Sequence, residues 1–355
     1  MASVDAGCRR KLVCAGHTMK ICIVTDTWSQ INGVSTTLKN TVKCLRKIGH
    51  EVLVIEPSQF VHIPMPGYRE VQWSLDLWNV GRRIAKFHPH AIHIATEGPL
   101  GFAARWYCKV TRRSIPHNTS YHTKMPEYLQ KKFGVPVSWS YPLFRMFHKY
   151  SHRVLVTNQT MVSELAAQGF ANLTVWSRGV DQELFTPELR SPVGQRDLGH
   201  APVIMCVSRV SHEKNLEAFC ELTTLGTLIV VGDGPVRADL QRQYPDVKWL
   251  GYKTGTELAK CYANADVVVF PSRTDTFGVV MLESIACGTP VAAYPVTGPI
   301  DVIEPGVTGI LNDDLQTAVV QALLLDRNIV HQASARWTWQ ACTETFVQNL
   351  ITIPR

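Results

Sequence analysis

Apolar residues along this chain fall into short runs of four or five, separated by stretches in which they recur every third or fourth position. Ile21 to Val24, Val52 to Ile55 and Ala91 to Ile94 are too brief for helices and show no polar alternation, the pattern of strands buried on both faces. Gly33 to Ile48, stopped by Gly49, and Asp76 to Phe87 have helical spacing, and a further helix is predicted from about Leu100 to Arg112. Strands recur at Ser114 to Ser120 and at Val154 to Thr157. The segment Val180 to His200 holds Pro187, Pro192, Gly194 and Gly199 and has no periodicity, so it reads as a boundary. A second set of runs follows at Pro202 to Val207, Thr227 to Val231, Val247 to Leu250, Val267 to Phe270 and Val291 to Ala293. Such alternation implies an α/β chain with two doubly wound parallel sheets, each covered by helices on both faces. The predicted units are an extension at 1–18 outside the fold, with Met19 as a natural start; a first domain at 19–185; a second at 186–338; and the segment 339–355. Its helix, about Trp339 to Leu350, comes too late to add a strand and is expected to pack across the domains.

The stretch Asp266 to Pro290 organises the rest. Its strand is broken by Pro271 and Ser272, a polar loop from Arg273 to Thr276 leads to Phe277 and Gly278, and a helix is predicted from Val279 to Ala286, stopped by Gly288 and Pro290. Ligands of parallel sheets gather at such loops, and the free N–H groups of a helix start suit a phosphate. Asp275 and Glu283 flank that position as acceptors for sugar hydroxyls. An ordinary strand–loop–helix unit capped by Thr276 is the other reading. Four more places carry candidate chemistry. Asn32 and Gly33 precede a helix, where a glycine lets the backbone approach a diphosphate, or where the pair makes a plain turn. His122 stands at a strand's carboxyl end, where it is catalytic or simply structural. Arg209 and Lys214, five apart, can reach one phosphate or form a solvated basic pair. Asp233, in the turn Gly232 to Pro235, reads as a capping residue.

With 355 residues and 45% apolar content, two cores are affordable, and no apolar run approaches the ~20 residues of a membrane-spanning helix. The ten cysteines are scattered without a C-x-x-C pair, which argues against a disulfide framework or zinc site and for reduced thiols in a cytoplasm. Charge is uneven. Residues 1–185 carry 23 Lys and Arg against 11 Asp and Glu, a net of +12; residues 186–355 carry 13 against 18, a net of −5. A basic first half suggests an anionic partner, such as phospholipid head groups or a phosphorylated acceptor, unless the asymmetry is surface composition alone. Lys109 to Arg113 and Leu129 to Tyr150 mix cations with Trp139, Tyr141, Phe144 and Phe147. They read either as a face for an anionic leaflet, at the inner side of a membrane, or as core aromatics among solvated cations. Nothing resembles a nucleic-acid-binding module.

Taken together, these residues resemble the retaining glycosyltransferases of family four, from Met19 to about Leu350. SRTDTFGVVMLESIACGTPVAA is similar to that family's acid–seven residues–acid motif, VSRVSHEKN to its phosphate-binding segment, NGVSTTL to its glycine loop, SYHTKMPEYL to its histidine segment and SRGVDQELFTP to its interdomain hinge. Asp275 is one methylene shorter than the commoner glutamate, and Ser208 replaces the frequent glycine before the arginine. The wording SRTDTFG with PVTGPIDVI is similar to the GDP-mannose-dependent α-mannosyltransferase subgroup, and relatives using UDP-glucose or UDP-sulfoquinovose share most of it.

The resemblance implies a GT-B fold, two Rossmann-like domains across a cleft. It also implies transfer of a hexose from a nucleotide sugar to a lipid or glycan hydroxyl with retained configuration. Under it, Arg209 and Lys214 stabilise the departing phosphate in place of a metal, for no D-x-D signature is present, and no cofactor is expected. Glu283 holds the ribose, Asp275 a sugar hydroxyl aided by the backbone of Phe277, Gly278 and Val279, and Gly33 the diphosphate. His122 positions or stabilises charge, while the departing phosphate takes the acceptor's proton. The alternatives are a UDP-sugar-dependent transferase, a nucleotide-sugar epimerase, or a non-catalytic partner on the same fold. The last two usually lack parts of this residue set.

Overall fold

The computed structural model describes residues 18–30, 32–65, 68–111, 114–192, 198, 202–223 and 226–354. Most of the predicted extension, and the stretch after Pro192 in the predicted boundary save for Leu198, lie outside them. The first half runs β1 (Lys20–Val24), α1 (Gly33–Lys47), β2 (Glu51–Ile55), β3 (His62–Met65), β4 (Tyr68–Ser74), α2 (Trp78–Phe87), β5 (Ala91–Ile94), α3 (Pro99–Val110), β6 (Asn118–Tyr121), α4 (Met125–Phe133), α5 (Val137–His148), β7 (Val154–Val156), α6 (Gln159–Ala167) and β8 (Leu173–Val175). The second runs β9 (Val203–Val207), α7 (Leu216–Cys220), β10 (Thr227–Val231), α8 (Arg237–Gln243), β11 (Lys248–Gly251), α9 (Gly255–Asn264), β12 (Val267–Phe270), α10 (Val279–Ala286), β13 (Val291–Ala293), α11 (Pro299–Val302), β14 (Gly309–Leu311), α12 (Leu315–Ala322), α13 (Arg327–Ala333) and α14 (Trp339–Asn349).

Two six-stranded sheets result, in the orders β2-β1-β5-β6-β7-β8 and β11-β10-β9-β12-β13-β14, with every pair parallel. Their strands are buried on both faces, as the unbroken apolar runs require. Ile21 and Ile23 of β1 pack with Leu38, Val42 and Leu45 of α1, while Cys22 and Val24 face Val80, Ile84 and Leu100 on the other side. In the second sheet Val203 and Met205 join the α9–α10 core, and Ile204 and Cys206 join that of α7, α8 and α12.

Several elements differ from the periodicity. The antiparallel pair β3–β4 was not expected, since Pro64 interrupts its first strand and demotes the run. β8 and β14 are three-residue strands at sheet ends, too short to show a period. Pro116, which cannot donate to a ladder, confines the strand predicted at Ser114 to Ser120 to β6.

The chain crosses between the halves twice, and the crossings lie side by side. Val180 bridges Thr338 in parallel and its N–H donates to the Trp337 carbonyl at 3.0 Å. The approach is so close that a Cβ on Gly179 would sit 2.4 Å from the Trp339 nitrogen. Beyond this crossing α14 rests on the first half: Trp339, Cys342 and Phe346 share a core with Ile21, Leu38 and Trp176.

Candidate active site

In an open parallel sheet, a crevice forms where the strand order reverses, beyond the strands' carboxyl ends. In the second sheet that point lies between β9 and β12. The loops after these two strands carry the candidate phosphate cations and sugar acid, and they are tied together. Lys214 Nζ donates to both carboxylate oxygens of Asp275, at 2.7 and 2.9 Å. Asn215 Nδ2 donates to the Pro271 carbonyl at 3.0 Å and Thr274 Oγ1 to the Glu213 carbonyl at 3.4 Å. Arg209 stands exposed just past β9. The spacing predicted that both cations reach one phosphate; the structure places Lys214 on the acid that flanks it.

The predicted helix and α10 share the same bounds, Val279–Ala286, but Thr276 is not its cap. Gly278 holds the cap position with φ 88° and no side-chain bond. A Cβ there would meet Met281 Cε and the Phe270 ring at 2.8 Å, so the left-handed turn and the packing both call for glycine. The first N–H groups of α10 are thus left without a side-chain acceptor beside Asp275, while Phe277 is buried beneath them and meets Trp337 edge-on at 5.9 Å. Within α10, Glu283 accepts from the Tyr262 hydroxyl at 2.8 Å. The residue keeps some exposed surface, yet burial of its carboxyl pushes the pKa up to about 7, the Tyr262 hydrogen bond only partly opposing this. Asp233 is bonded to the Gly234 N–H at 2.8 Å and paired with Arg237 at 3.0 Å, a local turn role.

In the first sheet the order reverses between β1 and β5. A carboxylate fills that crevice. Asp26, just after β1, accepts from Thr96 Oγ1 at 2.9 Å and from the N–H groups of Leu100 and Gly101 at 2.8 and 3.3 Å, capping the start of α3. Burial raises its pKa to about 6 against these bonds. Nearby, α1 begins at Gly33, exposed, with Asn32 Oδ1 accepting from the Ser35 N–H at 2.9 Å.

His122 directly follows β6 and is 6% exposed. Arg178 Nη2 donates to its Nδ1 at 2.8 Å. A guanidinium can only donate, so Nδ1 is the acceptor and the neutral ring carries its proton on Nε2. Nε2 is buried without a partner. Burial, reinforced by the Arg178 charge, holds the His122 pKa well below the ordinary histidine value. Its chemistry is therefore that of a neutral hydrogen-bond donor. Arg178 is itself buried, bonded to the carbonyls of Trp176 and Ser177 at 3.0 and 3.3 Å and lying over the Trp176 ring.

The two halves meet around His122. Thr276 Oγ1 donates to the His122 carbonyl at 2.8 Å, and Asn158 Nδ2 donates to the Thr276 carbonyl at 2.7 Å. Lys124 pairs with Glu164 at 2.6 Å and donates to Thr297 Oγ1 at 3.3 Å, while Thr160 Oγ1 donates to Asp301 at 2.9 Å. These bonds place His122 one residue from the Asp275 loop. Three of the site's residues carried no signal of their own in the sequence: Asp26, Asn158 and Tyr262. Arg178 and Thr297 did lie within quoted motifs, the hinge segment and PVTGPIDVI, and the fold shows what each touches.

Comparison with known proteins bears on this arrangement. Residues 31–184 match the family model described as Glycosyltransferase Family 4, and residues 201–325 that of Glycosyl transferases group 1. The chain is 30% identical over 320 residues to a GDP-mannose-dependent α-mannosyltransferase of Mycobacterium tuberculosis, covering 82% of this chain and 83% of that protein. It belongs to the family-four glycosyltransferases. A sulfoquinovosyl transferase of Arabidopsis thaliana, SQD2, is 29% identical over 363 residues, covering 91% of this glycosyltransferase and 71% of its relative. Among solved structures, the sucrose-phosphate synthase of Thermosynechococcus elongatus superposes with a TM-score of 0.72 at 19% identity, over 93% of this chain and 98% of that one. Anabaena Alr3699/HepE, crystallised with UDP-glucose, gives 0.69 at 18% identity over the same shares. The fold is GT-B.

Proposed function

We propose that this glycosyltransferase moves a hexose, mannose from GDP-mannose, to a hydroxyl of a lipid or glycan acceptor, with retained anomeric configuration and no metal. The observation that carries the reading is the Lys214–Asp275 contact at the reversal of the second sheet, under the start of α10 and one residue from the Thr276–His122 bond. A nucleotide sugar laid there has its distal phosphate at Lys214, Arg209 and the N–H groups of Gly278 and Val279. Its sugar lies at Asp275 and its ribose at Glu283, with Gly33 closing over the diphosphate. Donor binding exchanges the carboxylate partner of Lys214 for phosphate and frees Asp275 to accept from a sugar hydroxyl.

Departure of the nucleotide leaves negative charge on the distal phosphate, and oriented donors in a partly desolvated crevice stabilise it. His122 donates from Nε2 toward the sugar; the departing phosphate takes the acceptor's proton. Chelator should leave turnover intact. A thermal-shift screen of GDP-mannose, UDP-glucose and UDP-sulfoquinovose, followed by product analysis with and without acceptor, tests the reading. Stabilisation by none of them, or a bound nucleotide located outside the interdomain crevice, overturns it. Transfer of sulfoquinovose, from a UDP-linked donor, is the second reading; the Arabidopsis relative, a sulfoquinovosyl transferase, favours that sugar, and the same screen separates the two.

A further inference from the structure

Among the described residues, one outer face of the first half is apolar and basic and stands exposed. On α5, Trp139, Leu143 and Met146 are exposed at 76%, 47% and 49%, at the i, i+4, i+7 spacing of one stripe, while Phe144, Phe147 and His148 fill the core behind them. On α3, Trp106 and Val110 form a second exposed stripe one turn long. The helices are joined where Arg105 donates to the carbonyls of Met146 and Phe147, at 2.6 and 2.7 Å. Beside that joint, Arg105, Lys109 and Lys149 surround the Tyr150 ring within 5.3–5.8 Å of its centre. Lys149 also separates two grooves, of about 370 and 540 Å³, the larger lined by Arg105, Lys109, His117 and His152.

Single exposed apolar residues need no explanation, but two adjoining stripes with two tryptophans do. Charge decides the occupant. From Gly98 to Ser163 the chain carries ten Lys and Arg and one acid, Glu127. That acid is turned inward, accepting from the Tyr141 hydroxyl at 2.5 Å, and Glu97 just before the segment is held by His148 at 3.2 Å. Trp and Tyr rings at a polar–apolar boundary, flanked by cations on a segment whose one acid is turned inward, match the head-group region of a negatively charged bilayer. Protein interfaces are enriched in aromatics but depleted in lysine, whereas here Lys109 and Lys149 stand exposed beside the tryptophans. We propose that the α3–α5 face docks this glycosyltransferase on an anionic phospholipid leaflet, Trp106, Trp139 and Leu143 entering the interface and Lys109 and Lys149 meeting lipid phosphates. α5 stands on β6 through the His148–Thr119 bond at 2.8 Å, so a docked face holds His122, three residues on, close to a membrane-borne acceptor. In that consequence alone the proposal rests on the reading of a lipid acceptor.

The test is co-sedimentation of the full chain, without donor, with vesicles of phosphatidylcholine alone or mixed with phosphatidylglycerol. Binding is expected only to the mixed vesicles and should weaken with salt. Lys109→Gln/Lys149→Gln should lower the partition coefficient roughly 30-fold, about five-fold per cation. Trp139→Gln/Leu143→Gln should lower it at least about ten-fold at unchanged salt dependence. All four positions are exposed, so the variants should melt like the parent. Equal binding to both vesicle types, no binding at low salt, or indifference to both variants overturns the proposal. So does a dimer that Trp139→Gln dissociates, which would make a second copy the occupant. Transfer to a short water-soluble acceptor should survive in all variants; its loss in the parent would count against the proposed reaction and not against docking.

Discussion

Replacing Arg178 by methionine isolates the contribution of the buried guanidinium. In the folded chain its pKa is lowered from 12.5 to about 10, chiefly by burial. At 1.36 kcal/mol per unit that is about 3 kcal/mol given up to hold the charge. The sign is that of a depressed base: the penalty is present at every pH below about 10 and fades only as the pH rises past that value. Methionine removes the penalty but leaves the Trp176 carbonyl and His122 Nδ1 without a donor, at about 1–3 kcal/mol each, while the Ser177 carbonyl keeps the Cys342 thiol at 3.2 Å. The two terms are of similar size, so stability should shift by no more than a few kcal/mol.

Activity should be the sensitive readout of that substitution. Without Arg178, nothing keeps the His122 proton on Nε2, and the ring loses its oriented donor for part of the time. Outright removal of an oriented donor costs about 10²–10³ in rate. Partial loss should cost about 10–10² in kcat, with the KM for the donor little changed. Steady-state kinetics check the split, and ¹⁵N NMR of the His122 ring reports its tautomer. Arg178→Lys, which keeps a donor, should recover part of kcat. Turnover of Arg178→Met within two-fold of the parent, or an Nδ1-protonated ring in the parent, refutes the reasoning.

Three further outcomes are expected. Lys214→Met should lower kcat about 10²–10³-fold and weaken nucleoside diphosphate binding by calorimetry; near-normal turnover would remove Lys214 from the phosphate site. The kcat/KM of the parent should rise as pH passes about 7, since an ionised Glu283 accepts from ribose hydroxyls with both oxygens and more strongly than the neutral acid, and Glu283→Gln should flatten that limb. Because this carboxyl's folded pKa is raised, its contribution to stability declines as pH rises from about 4.5 to 7, and urea midpoints of the glutamine variant should lack that dependence. Phe346→Ala should cost about 3–5 kcal/mol, read as earlier urea unfolding of the first half, because this fully buried ring of α14 packs against Trp176 and His93; an unmoved midpoint would show that α14 contributes little there.

Much of this molecule was legible in local pattern. Apolar runs without alternation dictate strands buried on both faces, whatever surrounds them, and a glycine followed by eight residues of helical character dictates α10 down to its ends. Asp275, Lys214 and His122 could be picked out because they follow strands, and strand ends are where a parallel sheet presents its loops. The partners of those residues were not legible, since each is supplied from far along the chain. Lys214 meets Asp275 61 positions away, His122 meets Arg178 56 away, and Thr276, which local chemistry offers as a cap, is turned to the other half of the molecule 154 positions distant. The aromatics of 129–150 divided in the same way: Phe144 and Phe147 went to the core and Trp139 to the surface. Periodicity arises from contacts a few residues apart and survives in the chain alone. Which carboxylate a lysine holds, and which face of a helix stays bare, depends on how two sheets and a returning helix close on one another, and only the assembled fold sets those distances.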